Sequence, residues 1–169
     1  MRSGGEEPRY VPAAIADRIV GLTALGAILA ALLERERSGR GQRVDVPMFE
    51  TMASFVLGDH LGGLTYDPPT GEPGYVRQLA RDRRPMRTAD GYVCALVYTD
   101  DHWRRFLDAI GQPDLMRNDQ RFADFSARMD NVGHVYAWLA DLFITRTSAE
   151  WIELLDQADV PVMAMHTLD

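Results

Sequence analysis

The carboxylate of Asp17 is the candidate catalytic group, because it lies just before a long apolar stretch, where a charged side chain is unexpected unless it has a structural or catalytic role. Residues 19–33 carry no charge. Near a helix N-terminus the unpaired N–H groups favour a carboxylate by about 0.3–1 kcal/mol and keep it ionised. An ionised aspartate can act as a covalent nucleophile. An acid that only stabilises the first helical turn fits the same position, and spacing alone favours that plainer interpretation.

Other chemical signals are weak. The four histidines show no metal-ligand spacing, so no metal site is predicted. Cys94 lies in a predicted strand, where a thiol is more often inert than reactive. One basic cluster comprises Arg77, Arg81, Arg83, Arg84 and Arg87. The cluster could bind a phosphate, although a solvated segment whose charge is balanced by Asp82 and Asp90 is the favoured interpretation.

The composition is that of an ordinary soluble protein. The 169 residues carry 25 acidic and 18 basic side chains, a net charge of -7, which argues against a nucleic-acid partner. A single cysteine suits a reducing cytoplasm. Residues 1–10 are mostly polar and predict no secretory signal. Residues 19–33 fall short of the roughly 20 apolar residues of a membrane span, so we expect a buried core helix and no membrane partner.

The elements that must position Asp17 are two helices. The first is predicted from Pro12 to the charged segment 34–37, with Gly39 as a left-handed cap. Its apolar residues fill every face, which predicts burial all round. Residues 43–46 alternate polar and apolar and predict a short strand, and Pro47 opens a second helix that reaches about residue 61.

A connector rich in glycine and proline predicts a boundary between two domains. We expect an incomplete helical domain at residues 1–63, a linker at 64–82 and a small domain at 83–169. The connector glycines Gly62, Gly63, Gly71 and Gly74 could form a mobile lid, a role for which such composition is suited, or could simply belong to a linker.

The small domain is predicted to be α+β. Asp90 and Gly91 indicate the turn of a β-hairpin. Thr99 predicts the start of a helix over about 100–110, and Thr147 with Glu150 forms a capping box before another helix. A closing strand is expected at residues 160–165, while the tryptophans at core spacing predict packing.

Two helices and a four-residue strand cannot cover a helix that is apolar on every face. We therefore expect the cover of the first helix to come from outside this chain.

Seven segments occur in the order found in a known family. They are IADRIVGLTALGAILAALLERERSGRGQRVDV (15–46), PPTGEPGY (68–75), RRPMRTADGYV (83–93), DHWRRFL (101–107), RFADFSAR (121–128) and TSAEWIELL (147–155), followed by VPVMAM (160–165). The chain thus resembles the family III CoA-transferases, which include formyl-CoA and carnitine CoA-transferases and α-methylacyl-CoA racemases.

The resemblance implies that Asp17 is the nucleophile of a reaction between an acyl-CoA and a carboxylate, with CoA passing through an aspartyl-CoA thioester. The CoA thioester is a substrate, and no permanently bound cofactor is implied. The family's glycine-rich active-site loop falls near Gly71 and Gly74, where this sequence has only scattered glycines. The family fold combines a large Rossmann-like domain with a small domain, in a homodimer of interlocked subunits.

The N-terminal Rossmann half, where most CoA contacts are expected, has no counterpart in the chain. We therefore expect the isolated chain to bind CoA weakly and to lack useful turnover. Two alternatives stay open. One is a 2-methylacyl-CoA racemase, in which the aspartate acts as a base, and the other is a non-catalytic structural or dimerising module.

Overall fold

The long apolar segment forms a single helix, α1, over Ile15–Ser38. It begins after Ala14 rather than at Pro12, and no side chain caps its first turn. Gly39 ends it as predicted, in the left-handed conformation (φ 71°), with its N–H donating to the carbonyl of Arg35 at 2.8 Å. Arg35 and Arg37 lie in the last turn, where positive charge complements the helix dipole.

The predicted strand at residues 43–46 is wrong, since no strand forms there. A strand needs a neighbouring ladder of backbone hydrogen bonds, and Arg43 instead pairs locally with Asp45 at 2.7 Å. The second helix, α2, spans Met48–His60, and Pro47 is its N-cap residue.

The two helices pack against each other. The residues of α1 with reduced exposure follow helical spacing and are mostly small: Ala16, Ile19, Val20, Ala24, Ala27 and Ala31. Small side chains allow two backbones to approach closely. The expected burial on all faces is nevertheless not met, because no residue of α1 or α2 is fully buried. The exposure of α1 agrees with the prediction that the rest of this chain cannot cover it.

By length and composition, α1 is the one helix within residues 10–166 that could cross a bilayer. A core helix of a soluble protein passes the same test.

The computed structural model describes residues 10–166, which divide into two compact units between Tyr75 and Val76. The N-terminal unit contains α1, α2 and a loop that includes a short 3-10 turn, Gly62–Thr65. The C-terminal unit is α+β, as predicted. Its elements are α3 (Val76–Leu79), β1 (Met86–Arg87), β2 (Tyr92–Ala95), α4 (Asp100–Ala109), α5 (Leu115–Asn118), a 3-10 turn (Gln120–Phe122), α6 (Phe125–Asp130), α7 (Val132–Phe143), α8 (Ser148–Gln157) and β3 (Val162–Ala164).

The three strands form one antiparallel sheet in the order β1-β2-β3. The predicted hairpin joins β1 to β2, with Met86 opposite Val93 and the N–H of Thr88 bonded to the carbonyl of Gly91 at 2.9 Å. β3 pairs with β2 through Cys94 and Met163. β2 ends at Ala95, which lies opposite Val162 of β3.

An aromatic core fills the space between the sheet and the helices. Phe106 of α4 stacks on Phe143 of α7 and on Trp151 of α8, with ring centroids 6.3 and 6.4 Å apart. The indole N–H of Trp151 donates to the carbonyl of Phe143 at 2.7 Å, so its one polar group is satisfied inside the core. Trp103 and Trp138 pack against the same cluster, which confirms the packing role expected of the tryptophans.

Candidate functional site

Asp17 lies in the first turn of α1 and is exposed. No side chain caps the first turn, and Asp17 forms no ion pair with a residue in the described part of the chain. Its carboxylate is therefore available to an incoming group, in a position where the helix dipole favours negative charge. Within residues 10–166, no other titratable group forms a hydrogen-bonded pair with it.

Asp17 shares one face of α1 with an exposed row of apolar side chains. Helical spacing places Gly21, Leu25, Ile28 and Leu32 in line with it. The three larger side chains are 53%, 50% and 40% exposed, in that order. Asp17 thus stands at the N-terminal end of an uncovered apolar face, which is defined here by Leu25, Ile28 and Leu32.

A hollow of about 290 Å³ lies at the other end of this face. Ile28, Leu32 and Arg35 of α1 line it, together with the segment after the helix, at Gly41, Gln42 and Val44. The hollow is open and mostly apolar, with one guanidinium. An apolar surface with a charged group at its margin is typical of a surface that meets another part of a protein.

Gly71 and Gly74 lie in the loop that follows α2, and we call residues 61–75 the glycine loop. Gly74 has φ of 109°, a conformation that L side chains rarely adopt. A Cβ atom on Gly63 would lie 2.2 Å from the amide nitrogen of Gly71, so the two arms of the loop touch through backbone atoms alone. The assignment of Gly71 and Gly74 to an active-site loop stays a prediction.

Members of the basic cluster have different surroundings. Arg77 is buried, with its guanidinium carbon 4.4 Å from the centroid of the Tyr98 ring. Arg84 pairs with Asp82 at 3.2 Å, as the solvated interpretation expects. Asp90 has a different role, because its carboxylate accepts hydrogen bonds from the N–H of Ser148 at 2.7 Å and from the hydroxyl of Thr88 at 3.1 Å. The Ser148 and Thr88 contacts hold the pKa of Asp90 below its ordinary value.

Sequence reasoning missed a groove of about 520 Å³ beside the edge strand β1. It has an apolar wall that includes Tyr92, Ile144 and Met165. Its charged lining residues are Asp82, Arg84, Arg87 and Asp141, which cancel to no net charge. No spacing in the sequence signals the groove, because its two sides are β1 and α7, far apart along the chain.

The described residues hold no group of three or more His, Cys, Asp or Glu side chains that could bind a metal ion. Cys94 is exposed as a free thiol in β2.

The sequence is similar to several known CoA-transferases. The probable fatty acyl-CoA transferase Rv3272 of Mycobacterium tuberculosis is 32% identical over 174 residues, which cover 95% of this chain and 43% of that protein. The formyl-CoA:oxalate CoA-transferase of Escherichia coli O157:H7 is 25% identical over 91% of this chain and 42% of its own length. The chain thus spans less than half the length of these relatives.

Solved structures of one of these relatives are also similar to this chain. A crystal structure of Rv3272 matches 99% of this chain and 43% of its own chain, with 30% identity and a TM-score of 0.73. A structure of an aspartate-to-alanine mutant of the same protein matches with a TM-score of 0.75. Residues 1–169 also match the family model described as CoA-transferase family III. On this match over the whole sequence, the chain belongs to CoA-transferase family III.

Proposed function

We propose that this chain supplies the nucleophilic aspartate, Asp17, of an enzyme that transfers CoA from an acyl-CoA to a carboxylic acid. The observation that carries the proposal is the position of Asp17: an exposed carboxylate, without an ion-pair partner among residues 10–166, at the end of an uncovered apolar face in a member of this family. A carboxylate held only to stabilise a helix gains nothing from such a face.

In the proposed reaction, a carboxylate oxygen of Asp17 attacks the thioester carbonyl, the C–S bond breaks and CoA leaves as the thiolate. The product is a mixed anhydride. The thiolate then attacks the Asp17 acyl carbon and releases the first carboxylate, which leaves an aspartyl-CoA thioester. The acceptor carboxylate attacks that thioester, the C–S bond breaks and CoA leaves again as the thiolate, so that a second anhydride forms between Asp17 and the acceptor. CoA thiolate attacks the acceptor acyl carbon, which completes the new acyl-CoA and regenerates Asp17.

The reaction needs surroundings that residues 10–166 do not provide around Asp17. An anhydride and a thioester both hydrolyse if water reaches them, so the site has to be closed during turnover. Asp17 is open to solvent in this chain. We propose that a further part of the enzyme covers the apolar face of α1, supplies most of the CoA contacts and completes the site in the cytoplasm. A homodimer with interlocked subunits is the assembly that the family suggests.

A chimera tests this function. The chain replaces its matching segment in the Mycobacterium tuberculosis relative, and the purified chimera is incubated with an acyl-CoA and then with hydroxylamine. Cleavage of an adduct at Asp17, detected by peptide mass spectrometry as an aspartyl hydroxamate, is the expected result. Exchange of the α-proton for deuterium without any adduct would instead identify the racemase chemistry.

The isolated chain provides a second test. We expect it to bind CoA weakly or not at all, since most CoA contacts are proposed to lie elsewhere. Isothermal titration that gives micromolar affinity for the isolated chain would contradict this part of the proposal. A folded chimera with no adduct, no exchange and no turnover would favour a structural role for the chain.

A further inference from the structure

The glycine loop is closed at its base by one residue, His60, which accepts two hydrogen bonds from consecutive backbone amides. The carbonyl oxygen of His60 accepts from the N–H of Gly74 at 2.9 Å. The ring nitrogen Nδ1 accepts from the N–H of Tyr75 at 3.2 Å. Because His60 is the last residue of α2, these bonds tie the end of the loop to the end of the helix.

The hydrogen bonds inside the loop join backbone atoms. The N–H of Thr70 donates to the carbonyl of Gly63 at 3.1 Å. A Cβ atom on Gly62 would lie 2.7 Å from the carbonyl oxygen of Glu72, and Gly62 itself has φ of 55°. The arms therefore have a defined arrangement that any side chain at these glycines would disturb. Such a loop differs from a free linker, in which the arms do not meet.

Among the side chains in the described part of the chain, only the imidazole of His60 forms a hydrogen bond with residues 61–75. Acceptance at Nδ1 places the ring proton on Nε2. The ring is half-buried, so losing the bond would leave the N–H of Tyr75 without its partner near the protein interior. One of the two bonds at the loop base thus depends on a replaceable side chain, whereas the other bond and those between the arms join backbone atoms.

We propose that His60 is a positioning residue: the hydrogen bond to its Nδ1 holds the glycine loop in the backbone arrangement that places Gly71 and Gly74. The role of this loop at the active site rests on the proposed function, but the tie itself does not. His60 contacts no reacting group in this proposal and acts through the backbone of the loop.

Amide hydrogen exchange in the full chain tests the tie directly. His60→Asn keeps an acceptor oxygen near the position of Nδ1, whereas His60→Gln moves its acceptor toward the position of Nε2, and His60→Leu removes it. We expect exchange at Tyr75 to accelerate about tenfold in the Leu and Gln variants, the effect of one lost hydrogen bond. The Asn variant should stay within about threefold of the unmodified chain. Asp59→Asn, at the preceding exposed position, is the matched control.

Equal protection of Tyr75 in the unmodified chain and both the Leu and Gln variants would overturn the proposal. Equal loss in the Asn and Leu variants would also overturn it, because volume and not the acceptor would then set the exchange rate. Amides of α1 report whether the N-terminal unit is still folded. In the chimera, His60→Leu should lower kcat, and His60→Asn should restore it. If the Leu and Gln variants lose exchange protection at Tyr75 but the unmodified chimera has no transferase activity, the His60 hydrogen bond is supported and the proposed function is rejected.

Discussion

At the level of single residues, Asp17 and Glu50 form a matched pair, since each is an exposed carboxylate in the first turn of one of the two packed helices. Both can interact with a helix dipole, but only Asp17 is proposed to react. In the chimera, Asp17→Asn should lower kcat by about 10³-fold or more, because the amide cannot form the acyl intermediate. Glu50→Gln should leave kcat within about threefold. Steady-state turnover of an acyl-CoA measures both.

Asp17→Asn should leave folding almost unchanged, with a shift in unfolding free energy within about 0.5 kcal/mol, because the side chain is exposed. A large loss of stability with little loss of turnover would assign Asp17 to the helix and not to catalysis. Similar activity losses in the two variants would show that a first-turn charge, and not a nucleophile, is what the enzyme needs.

Asp119 gives the C-terminal unit an acid-sensitive contact. The side chain of Arg121 and its backbone N–H bond to the carboxylate and lower the pKa of Asp119 from 3.8 to about 2. A carboxyl group whose pKa is lowered in the folded state stabilises the protein at pH values above its ordinary pKa. It loses that contribution as the pH falls through the folded-state pKa. We therefore expect stability to decrease between about pH 4 and pH 2. The contacts of Asp90 and Glu150, which also lower their pKa values, act in the same direction.

Asp119→Asn should flatten this part of the pH profile. The midpoint of thermal unfolding, followed by tryptophan fluorescence between pH 2 and pH 5, measures it. Asp108→Asn, an exposed carboxylate of α4, is the control. An unchanged slope in Asp119→Asn would mean that the Arg121 contact does not contribute to stability in solution.

At the level of elements, the stability of the C-terminal unit depends on the aromatic core between α4, α7 and α8. Phe106 is fully buried there, whereas Phe125 of α6 is 42% exposed. Phe106→Ala should cost about 3–5 kcal/mol, because it removes a buried ring and leaves a cavity. Phe125→Ala should cost about 1 kcal/mol, for one edge-to-face contact with Tyr98.

Urea unfolding measures both variants, and tryptophan fluorescence reports on the C-terminal unit because all three tryptophans lie in it. Equal costs would contradict the packing described above, since they would place the two rings in equivalent surroundings.

The capping signals predicted element boundaries well where a side chain performs the capping. Thr99 accepts from the N–H of His102 at the start of α4, and Thr147 and Glu150 form the predicted box before α8. Pro12 was a weaker guide, because a proline permits the start of a helix without bonding to it, and α1 begins at Ile15. The alternation at residues 43–46 failed since no neighbouring strand is there to pair with it.

At the level of the whole molecule, the uncovered apolar face of α1 is the main feature that packing within the chain does not satisfy. Leu25 and Ile28 are about half exposed, and contiguous exposed apolar surface promotes association. We expect the isolated chain to self-associate as its concentration rises. Leu25→Gln with Ile28→Gln should raise the apparent dissociation constant about tenfold or more, as measured by sedimentation equilibrium.

The control is Glu34→Gln with Glu36→Gln, at the charged end of the same helix, which should not weaken association. If the Leu25 and Ile28 substitutions leave association unchanged, the apolar face is not the surface through which copies meet.

The sequence by itself determined the choice of Asp17 as the candidate nucleophile, through a family resemblance that extends along the chain. It also determined the local features: the existence of the long helix, its glycine cap, the hairpin turn and the capped helices. These depend on neighbours a few residues apart, and the chain carries that information directly. Only the tertiary structure decided which residues gather across the chain. It tied His60 to Tyr75, formed the groove between β1 and α7, and left α1 exposed, because burial and hydrogen-bond partners depend on what packs nearby in space. Asp17 is thus a residue that the sequence could select as a candidate, and we propose that another part of the enzyme completes its surroundings.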